Sequence, residues 1–331
     1  MKIHAFRRLL LAFSSAALMT ATPFAAAQDL MSALPIPDAT WYGSAEAFLL
    51  QLDHGANGNT PVILNSVSGA TLLGTNDLTY SMQAGPKLVL GRAIGDAGAA
   101  ELVYFGLNDW NVDQTVLGSN DPRIPGDLGL STFDFFNVDQ LTAAQSATLN
   151  NVEANIWRRV NDEPVCLMAG FRYFQLNENF SISGQDTDTG ASTYAIRTAN
   201  DLYGAQIGGR YRDFMGETQR FGFEATAKAG LFGNAVGMSQ YVSDFDNTFV
   251  VRDTNINKDR VAFVGDIGLT GLIRVTDNVN ARIGYTLIWA EGVARAANQL
   301  DFSDNAASGT QIAYGQGAFL QGINVGFEIG W

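Results

Sequence analysis

The chain has 331 residues, of which 47% are hydrophobic and only 16% charged, against about 25% charged in an ordinary soluble domain. Its single cysteine and two histidines exclude a disulfide scaffold, a zinc ribbon and a multi-histidine metal site, so we expect no metal and no cofactor. The formal net charge of −13 argues against nucleic acid as a partner.

The start of the chain has the layout of a cleaved secretory signal peptide. Three basic residues precede an apolar run over residues 9–19, and Ala25-Ala26-Ala27 supplies small residues for cleavage. Beyond it, no uninterrupted apolar stretch reaches the ~18 residues of a membrane helix. We predict a signal peptide over residues 1–27, a periplasmic segment over 28–40 and one membrane domain over 41–331.

Period-two alternation predicts that this membrane domain is built from β-strands. Between residues 221 and 231, apolar side chains alternate with Gly, Glu, Thr and Lys, as in a strand with one face toward lipid and the other toward a lumen. Residues 261–275 and 280–289 alternate in the same way around the turn 276–278 and form the clearest predicted hairpin. Residues 322–331 alternate to the last residue of the chain.

Weaker alternation adds six strands and brings the predicted total to ten, over residues 41–50, 79–92, 100–110, 151–159, 165–176 and 200–212. In the segment 100–110 the register stays open, because Glu101 shares its parity with Val103, Phe105 and Leu107.

The intervals between these strands alternate between long and short. The long ones are residues 51–78, 111–150, 177–199, 234–259 and 291–316. This order is typical of an even-numbered barrel with both chain ends in the periplasm. We therefore predict an all-β fold: a transmembrane antiparallel up-and-down β-barrel of about ten strands, with short periplasmic turns and long extracellular loops. A further hairpin inside a long loop would make the number twelve.

The polar faces of the predicted strands carry charges of both signs. Such a set indicates either an ion-pair network that fills the interior or the lining of a thin aqueous pore. Barrels of about eight strands are filled by their own side chains, whereas open porins use about sixteen to eighteen, so we expect either a porin with a narrow or partly plugged pore or a structural outer-membrane protein. The predicted lumen-lining residues are Glu46, Lys87, Glu153, Arg159, Arg172, Arg210, Arg212, Glu224, Lys228, Asp266, Arg274, Arg282 and Glu328.

Aromatic residues mark the strand ends. The predicted interfacial aromatic girdle consists of Trp41, Trp110, Trp289 and Trp331. Trp157 has lumen parity, and packing of tryptophan in a core is the alternative interpretation. The terminal alternation resembles the signal by which the barrel-assembly machinery recognises its substrates, and its predicted residues are Phe327, Ile329 and Trp331.

Catalytic residues are not predicted. After the leader, His54 is the one remaining histidine, in the turn-rich segment Asp53-His54-Gly55-Ala56-Asn57-Gly58, and the chain has no Gly-x-Ser-x-Gly motif. An outer-membrane hydrolase that uses extracellular loop acids with His54 is therefore the alternative function, and a soluble secreted β-protein is the second alternative. The five long intervals hold 17 acidic and five basic residues, which we interpret as solvated external loops.

Several segments in order along the chain resemble the putative β-barrel porin family seven, abundant in planctomycete bacteria. They are Trp41-Tyr-Gly-Ser-Ala-Glu46, residues 169–178, residues 200–208, Arg282-Ile-Gly-Tyr285 with residues 292–299, and residues 322–331. Residues 296–299 read Ala-Ala-Asn-Gln where the family pattern has Ala-Pro-Asp-Gln.

This resemblance implies an outer-membrane location and diffusion of small solutes, and it transfers no catalytic residue. The expected partners are outer-membrane lipid and, during biogenesis, the barrel-assembly machinery. The sequence leaves the solute, the oligomeric state and the loop partners open.

Overall fold

The computed structural model describes residues 40–331, except 57, 96, 161–162, 189 and 316. The predicted signal peptide lies outside the described residues, as does the predicted periplasmic segment apart from Thr40. The described strands are β1 (Trp41–Leu52), β2 (Pro61–Asn65), β3 (Thr71–Gly74), β4 (Gln83–Ile94), β5 (Gly98–Leu117), β6 (Pro122–Arg123), β7 (Gln140–Arg159), β8 (Val165–Asp186), β9 (Gly190–Met215), β10 (Phe221–Asp244), β11 (Phe249–Thr276), β12 (Val279–Glu291) and β13 (Ala318–Gly330).

Ten of the described strands close into an antiparallel barrel in the order β1-β13-β12-β11-β10-β9-β8-β7-β5-β4. Consecutive barrel strands pair with each other, and β13 returns to pair with β1. This closure leaves no free sheet edge in the ring, as a membrane-spanning sheet requires. The predicted all-β up-and-down barrel of about ten strands is therefore confirmed.

The two ends of the barrel differ. At one end the connections β4–β5, β7–β8, β9–β10 and β11–β12 span at most five residues. The backbones of Trp41 and Trp331 exchange two hydrogen bonds at this same end. Short turns mark the periplasmic side of such barrels, so the opposite end is external.

An apolar band surrounds the half of the barrel next to the periplasmic end. Leu102, Phe171, Ile207, Leu231 and Leu269 represent β5, β8, β9, β10 and β11 in this band, and each is more than half exposed. An exposed patch of this extent is far larger than soluble monomers carry, and it matches the lipid-facing band of outer-membrane barrels.

Six strands continue well beyond this band. About 9–11 residues suffice to cross a bilayer, whereas β5 and β7 to β11 contain between 20 and 28 residues. Most of the intervals 177–199 and 234–259, predicted as loops, is therefore strand. The physical reason is that the apolar and polar faces of the strands change places outside the membrane. On β8 the outward-facing residues change from Phe171 to Asn177 and Asn179, and apolar residues point inward.

The register of β5 depends on an irregularity between Leu107 and Trp110. Before it, the odd-numbered residues, including Glu101, point into the barrel; after it, Trp110 does. The prediction that Trp110 belongs to an interfacial girdle is wrong, since its side chain is fully buried and its Nε1 donates to the Leu50 carbonyl at 3.2 Å. A bulge inserts extra residues into one strand and so reverses which side chains face inward.

The described residues of three connections fold over the external mouth, and we call residues 53–56, 58–82, 118–139, 292–315 and 317 the external cap. They contain the small sheet β3-β2-β6. Apolar cap residues such as Val62 and Phe135 pack against inward side chains of the long strands in one buried cluster. Among the described residues, no helix is long and apolar enough to cross a membrane.

Candidate functional site

The interior of the barrel is the candidate functional site, and it contains three successive layers. Nearest the periplasm lies a cluster of charged side chains, which we call the ionic layer. Above it lies a group of apolar side chains, the apolar layer. The external cap forms the third layer. Alternation along each strand places these side chains, because every second residue points inward.

Glu101 organises one side of the ionic layer. Its carboxylate accepts two hydrogen bonds from Arg210, both at 3.0 Å, in the bidentate geometry that gives the strongest ion pairs. It also accepts from the Tyr42 hydroxyl at 2.7 Å and from Trp157 Nε1 at 2.6 Å. The Arg210 guanidinium lies 4.0 Å from the centroid of the Trp157 ring. Three side chains from three other strands are thereby fixed around the Glu101 carboxylate.

The middle of the ionic layer is a chain of shared ion pairs. Glu224 lies 2.8 Å from Arg282 Nη2 and 3.2 Å from Arg212 Nη1. Glu328 lies 2.6 Å from Arg212 Nη2 and also pairs with Arg282. Arg282 Nε lies 3.2 Å from Glu46 Oε1. Each guanidinium therefore bridges two or more carboxylates, which holds β9, β10, β12, β13 and β1 together across the interior.

The remaining part of the ionic layer surrounds Glu153, whose side chain is fully buried. Lys228 Nζ lies 2.8 and 3.0 Å from its two carboxylate oxygens. Arg172 lies 3.8 Å from Glu153 and 2.7 Å from Asp266. Gln206 donates a further hydrogen bond to Glu153 at 2.9 Å.

Charges of the two signs balance in this layer. Across the described residues, six carboxylates (Glu46, Glu101, Glu153, Glu224, Asp266 and Glu328) pair with six cations (Lys87, Arg172, Arg210, Arg212, Lys228 and Arg282). A buried charge is tolerated when it is paired and hydrogen-bonded. The arrangement supports a filled interior better than an ion-selective ring, which would carry a surplus of one sign.

Eleven of the thirteen residues proposed from the sequence as lumen-lining meet in this layer. The other two, Arg159 and Arg274, lie near the periplasmic ends of β7 and β11, where the Arg274 guanidinium is 4.6 Å from the Phe214 ring centroid. Sequence reasoning missed Glu101, because its parity groups it with apolar residues. The one available signal was that an acidic residue in a membrane strand must point away from lipid.

The apolar layer crosses the barrel just outside the ionic layer. In the described part of the chain, nine of the ten barrel strands contribute buried apolar side chains to it, and the cap adds Tyr80 and Val293. Phe48 and Phe105 meet edge to face with ring centroids 5.2 Å apart. Such a layer closes a path for ions, since an ion entering it would lose its hydration shell without gaining a polar partner.

Arg295 fastens the external cap to the barrel wall. Its side chain is fully buried, and its guanidinium donates to Glu178 Oε1 at 2.9 Å and to the carbonyls of Asp53 and Gly317 at 2.9 and 3.2 Å. It also pairs with the Asp53 carboxylate. Gly55 has φ = 72°, and a Cβ there would lie 2.6 Å from Arg295 Nη2, so this close approach requires glycine.

The charge of Arg295 is held by its two acidic neighbours. Burial alone would lower the pKa of the guanidinium, but the carboxylates of Glu178 and Asp53 raise it above its usual value. The Ala296 N–H donates to the second oxygen of Glu178 at 2.9 Å, so that carboxylate also anchors the backbone of the cap. The sequence analysis counted Arg295, Glu178 and Asp53 only among the charged residues of solvated external loops.

His54 lies at the edge of the cap in a structural role. Its Nδ1 accepts a hydrogen bond from the Ala56 N–H at 3.2 Å, and its carbonyl accepts one from Gln145 at 3.3 Å. The neighbouring Asp53 carboxylate is paired with Arg295 rather than with the imidazole. This geometry does not resemble a base oriented by a carboxylate.

The remaining residues that the sequence assigned to the aromatic girdle and to the assembly signal lie on the outer surface of the barrel. Trp41 and Trp331 are exposed at the periplasmic end, and the Arg92 guanidinium stacks 5.2 Å above Trp41. Trp289 lies half-buried on the outer face of β12 against Gly265. Phe327 and Ile329 are exposed on the outer face of β13.

A family model described as Putative beta barrel porin-7 (BBP7) matches residues 48–331 of the chain. A comparison with curated protein sequences found no significant match.

Among solved structures, the chain is similar to the outer membrane protease OmpT of Escherichia coli, with 12% identity, a TM-score of 0.43 and coverage of 91% of this chain and 100% of the other. It is also similar to the toluene transporter TodX of P. putida, with 9% identity, a TM-score of 0.36 and coverage of 91% and 93%. A third similar structure is CarO of Acinetobacter baumannii, with 9% identity, a TM-score of 0.25 and coverage of 87% and 97%.

Proposed function

From the interior described above, and because this chain belongs to the putative beta barrel porin-7 family, we propose that it is a sealed member of that family. It is an outer-membrane β-barrel protein, and its proposed role is to build the outer-membrane wall and to hold a rigid external cap at the cell surface. The observation that carries this proposal is the apolar layer, which closes the barrel mainly with side chains of the wall itself.

The ionic layer supports the same proposal. Its twelve described charged groups have no net charge and pair with one another. They therefore provide neither an excess of one sign nor free ligands for a passing ion. Its proposed role is to fix the strands across the interior. The lumen-lining residues predicted from the sequence would then link strands across the interior rather than line a pore.

Potassium efflux from loaded proteoliposomes tests the proposal. A sealed barrel leaves the efflux rate at that of protein-free liposomes, once correct insertion is verified by the shift in gel mobility between boiled and unboiled protein. Efflux that increases with the amount of inserted protein would overturn it.

A gated pore is the second candidate function, and the family description favours it. The Arg295 contacts would then act as a latch, and releasing the cap would open the channel. Arg295→Ala distinguishes the two candidates: a sealed barrel remains closed because the barrel strands supply all but two of the buried residues of the apolar layer, whereas a gated pore gains conductance.

A non-enzymatic role is part of the proposal. It is supported by the His54 ring accepting a backbone hydrogen bond, and by the Asp53 carboxylate being engaged with Arg295. The alternative is an outer-membrane hydrolase that uses loop acids with His54. Hydrolysis of peptide or ester substrates by the purified protein, lost in His54→Ala, would establish that alternative instead.

Biogenesis completes the proposal. The chain would be exported by a signal peptide cleaved before Gln28, and Phe327, Ile329 and Trp331 would present its last strand to the assembly machinery. Trp41, Trp289 and Trp331 would form the interfacial girdle, a role that suits their positions on the outer face. N-terminal sequencing of the mature protein and membrane assembly of Trp331→Gly check these points.

A further inference from the structure

An open cavity of about 780 Å³ lies at the external tip of the molecule, within the range of small-molecule sites. It is bounded by the cap segment before β7, the turn between β10 and β11, and the cap segment before β13. The barrel interior plays no part in its lining.

Three exposed aromatic side chains line the cavity. Phe133, Phe245 and Phe249 line it, and each is more than half exposed. They stand at the end of the molecule opposite the short turns, so lipid contact does not account for their exposure. Exposed apolar clusters rimmed by polar residues mark binding sites on otherwise soluble surfaces.

The floor of the cavity is rigid. The Asp244 carboxylate accepts hydrogen bonds from the N–H groups of Phe133 and Asp134, at 2.9 and 3.1 Å, and from the Ser192 hydroxyl at 3.1 Å. Because Asp244 ties the two segments together, Phe133 and Phe245 meet edge to face with centroids 6.0 Å apart. The backbone segments that carry the two rings are therefore fixed relative to each other before any ligand arrives, which lowers the entropy lost on binding.

The turn beside the cavity is strained. Phe245, Asp246 and Asn247 have φ between 52° and 55°, in the left-handed region that side-chain-bearing residues seldom adopt. A hydrogen bond of 2.6 Å from the Thr248 hydroxyl to the Phe245 carbonyl stabilises this turn. Strain of this kind persists where the surrounding structure enforces it, and it is found preferentially at binding sites.

The charge of the cavity is negative. Among its described lining residues, the charged ones are Asp244, whose oxygens are engaged as above, and the exposed Asp304. Arg252, which follows the lining residue Val251, is buried and donates to the carbonyls of Asp301 and Ser303 at 2.8 and 2.5 Å. The Asp301 carboxylate, next to Arg252, offsets its charge.

We propose that this cavity binds an organic cation, namely an ammonium group carried on an apolar or aromatic body. The faces of aromatic rings attract cations, and aromatic walls with a nearby carboxylate are the established chemistry for quaternary ammonium groups. The apolar body would pack against Phe249 and Val250, and the ammonium group would lie between the Phe133 and Phe245 rings and Asp304. This binding function goes beyond a sealed wall protein and does not depend on it.

Isothermal titration of the full protein in nanodiscs with benzyltrimethylammonium tests the proposal, with benzyl alcohol and benzoate as neutral and anionic analogues. We expect saturable binding of the cation at one site and weaker binding of both analogues. Phe249→Ala and Asp304→Asn should each weaken cation binding roughly three- to tenfold.

Matched control variants distinguish binding at the cavity from nonspecific binding to the rest of the protein surface. Phe136→Ala and Asp253→Asn alter an exposed ring and an exposed carboxylate outside the lining, and both should retain the wild-type affinity. All four variants should keep the heat-dependent gel mobility of a folded barrel. Equal affinity for the three probes, no saturation by ~10 mM cation, or unchanged affinity in Phe249→Ala and Asp304→Asn would overturn the proposal.

Discussion

Replacing Arg295 by alanine should release the external cap while leaving the barrel closed. Arg295 and Glu178 are both fully buried, and the substitution leaves the Glu178 carboxylate without its cation. Breaking a buried ion pair from one side costs about 3–5 kcal/mol. Because the cap can open without unfolding the barrel, this free energy should appear as local opening, increased roughly 10²- to 4 × 10³-fold.

Hydrogen exchange of the protein in nanodiscs measures that opening. Peptides covering residues 292–317 should exchange faster in Arg295→Ala, with the Ala296 amide as the most direct reporter, since it donates to Glu178. Peptides from β12 should keep the wild-type rate. The double variant Arg295→Met with Glu178→Gln should recover part of the protection, because it leaves no unpaired charge on Glu178.

Arg197→Ala is the matched control, since it removes an exposed arginine from the outer face of β9. Unchanged exchange in residues 292–317 of Arg295→Ala would refute the assignment of Arg295 as the fastening residue. An equal increase in Arg197→Ala would do the same, because it would show a general charge effect.

Three further outcomes follow from the fold. Ala227→Arg, at mid-depth on the outer face of β10, should lower the free energy of folding into vesicles by ~2–4 kcal/mol, whereas Ala235→Arg, beyond the apolar band on the same face, should cost ~0–1 kcal/mol; equal costs would contradict the boundary of the band. Glu101→Gln should lower the free energy of unfolding in urea by about 3 kcal/mol, since it removes the bidentate partner of a buried arginine; a stability equal to wild type would contradict that pairing. In single-tryptophan variants, brominated lipid should quench Trp289 strongly and Trp110 weakly; strong quenching of Trp110 would contradict its inward position.

The membrane part of the fold could be predicted because lipid imposes a strict rule on every strand. A side chain that meets hydrocarbon must be apolar and its neighbour is free to be polar. The period-two alternation in 221–231 or 261–275 can therefore be recognised without knowing the partner strand. Outside the apolar band this constraint no longer applies. The outer ends of β8 and β10 lose the apolar outer face, and the sequence there resembles a loop although it continues as strand.

The interior was harder to predict, because it depends on local irregularity and on distant partners. The bulge in β5 reverses the direction of Trp110 relative to simple parity. The partners of Arg295 lie 117 and 242 residues away in the chain, so its role as a fastening residue requires the closed barrel. A lone arginine among alanines, in Ala294-Arg295-Ala296, was the local signal that it is held by something distant.

Planar-bilayer recording tests the sealed interior most directly. Correctly folded wild-type protein should give no conductance steps above those of a protein-free bilayer, at any holding potential that the bilayer tolerates. Substituting lipid-facing Phe171 by leucine should leave the bilayer equally silent. Reproducible open-channel steps from the wild-type protein would contradict a barrel closed by its own apolar layer.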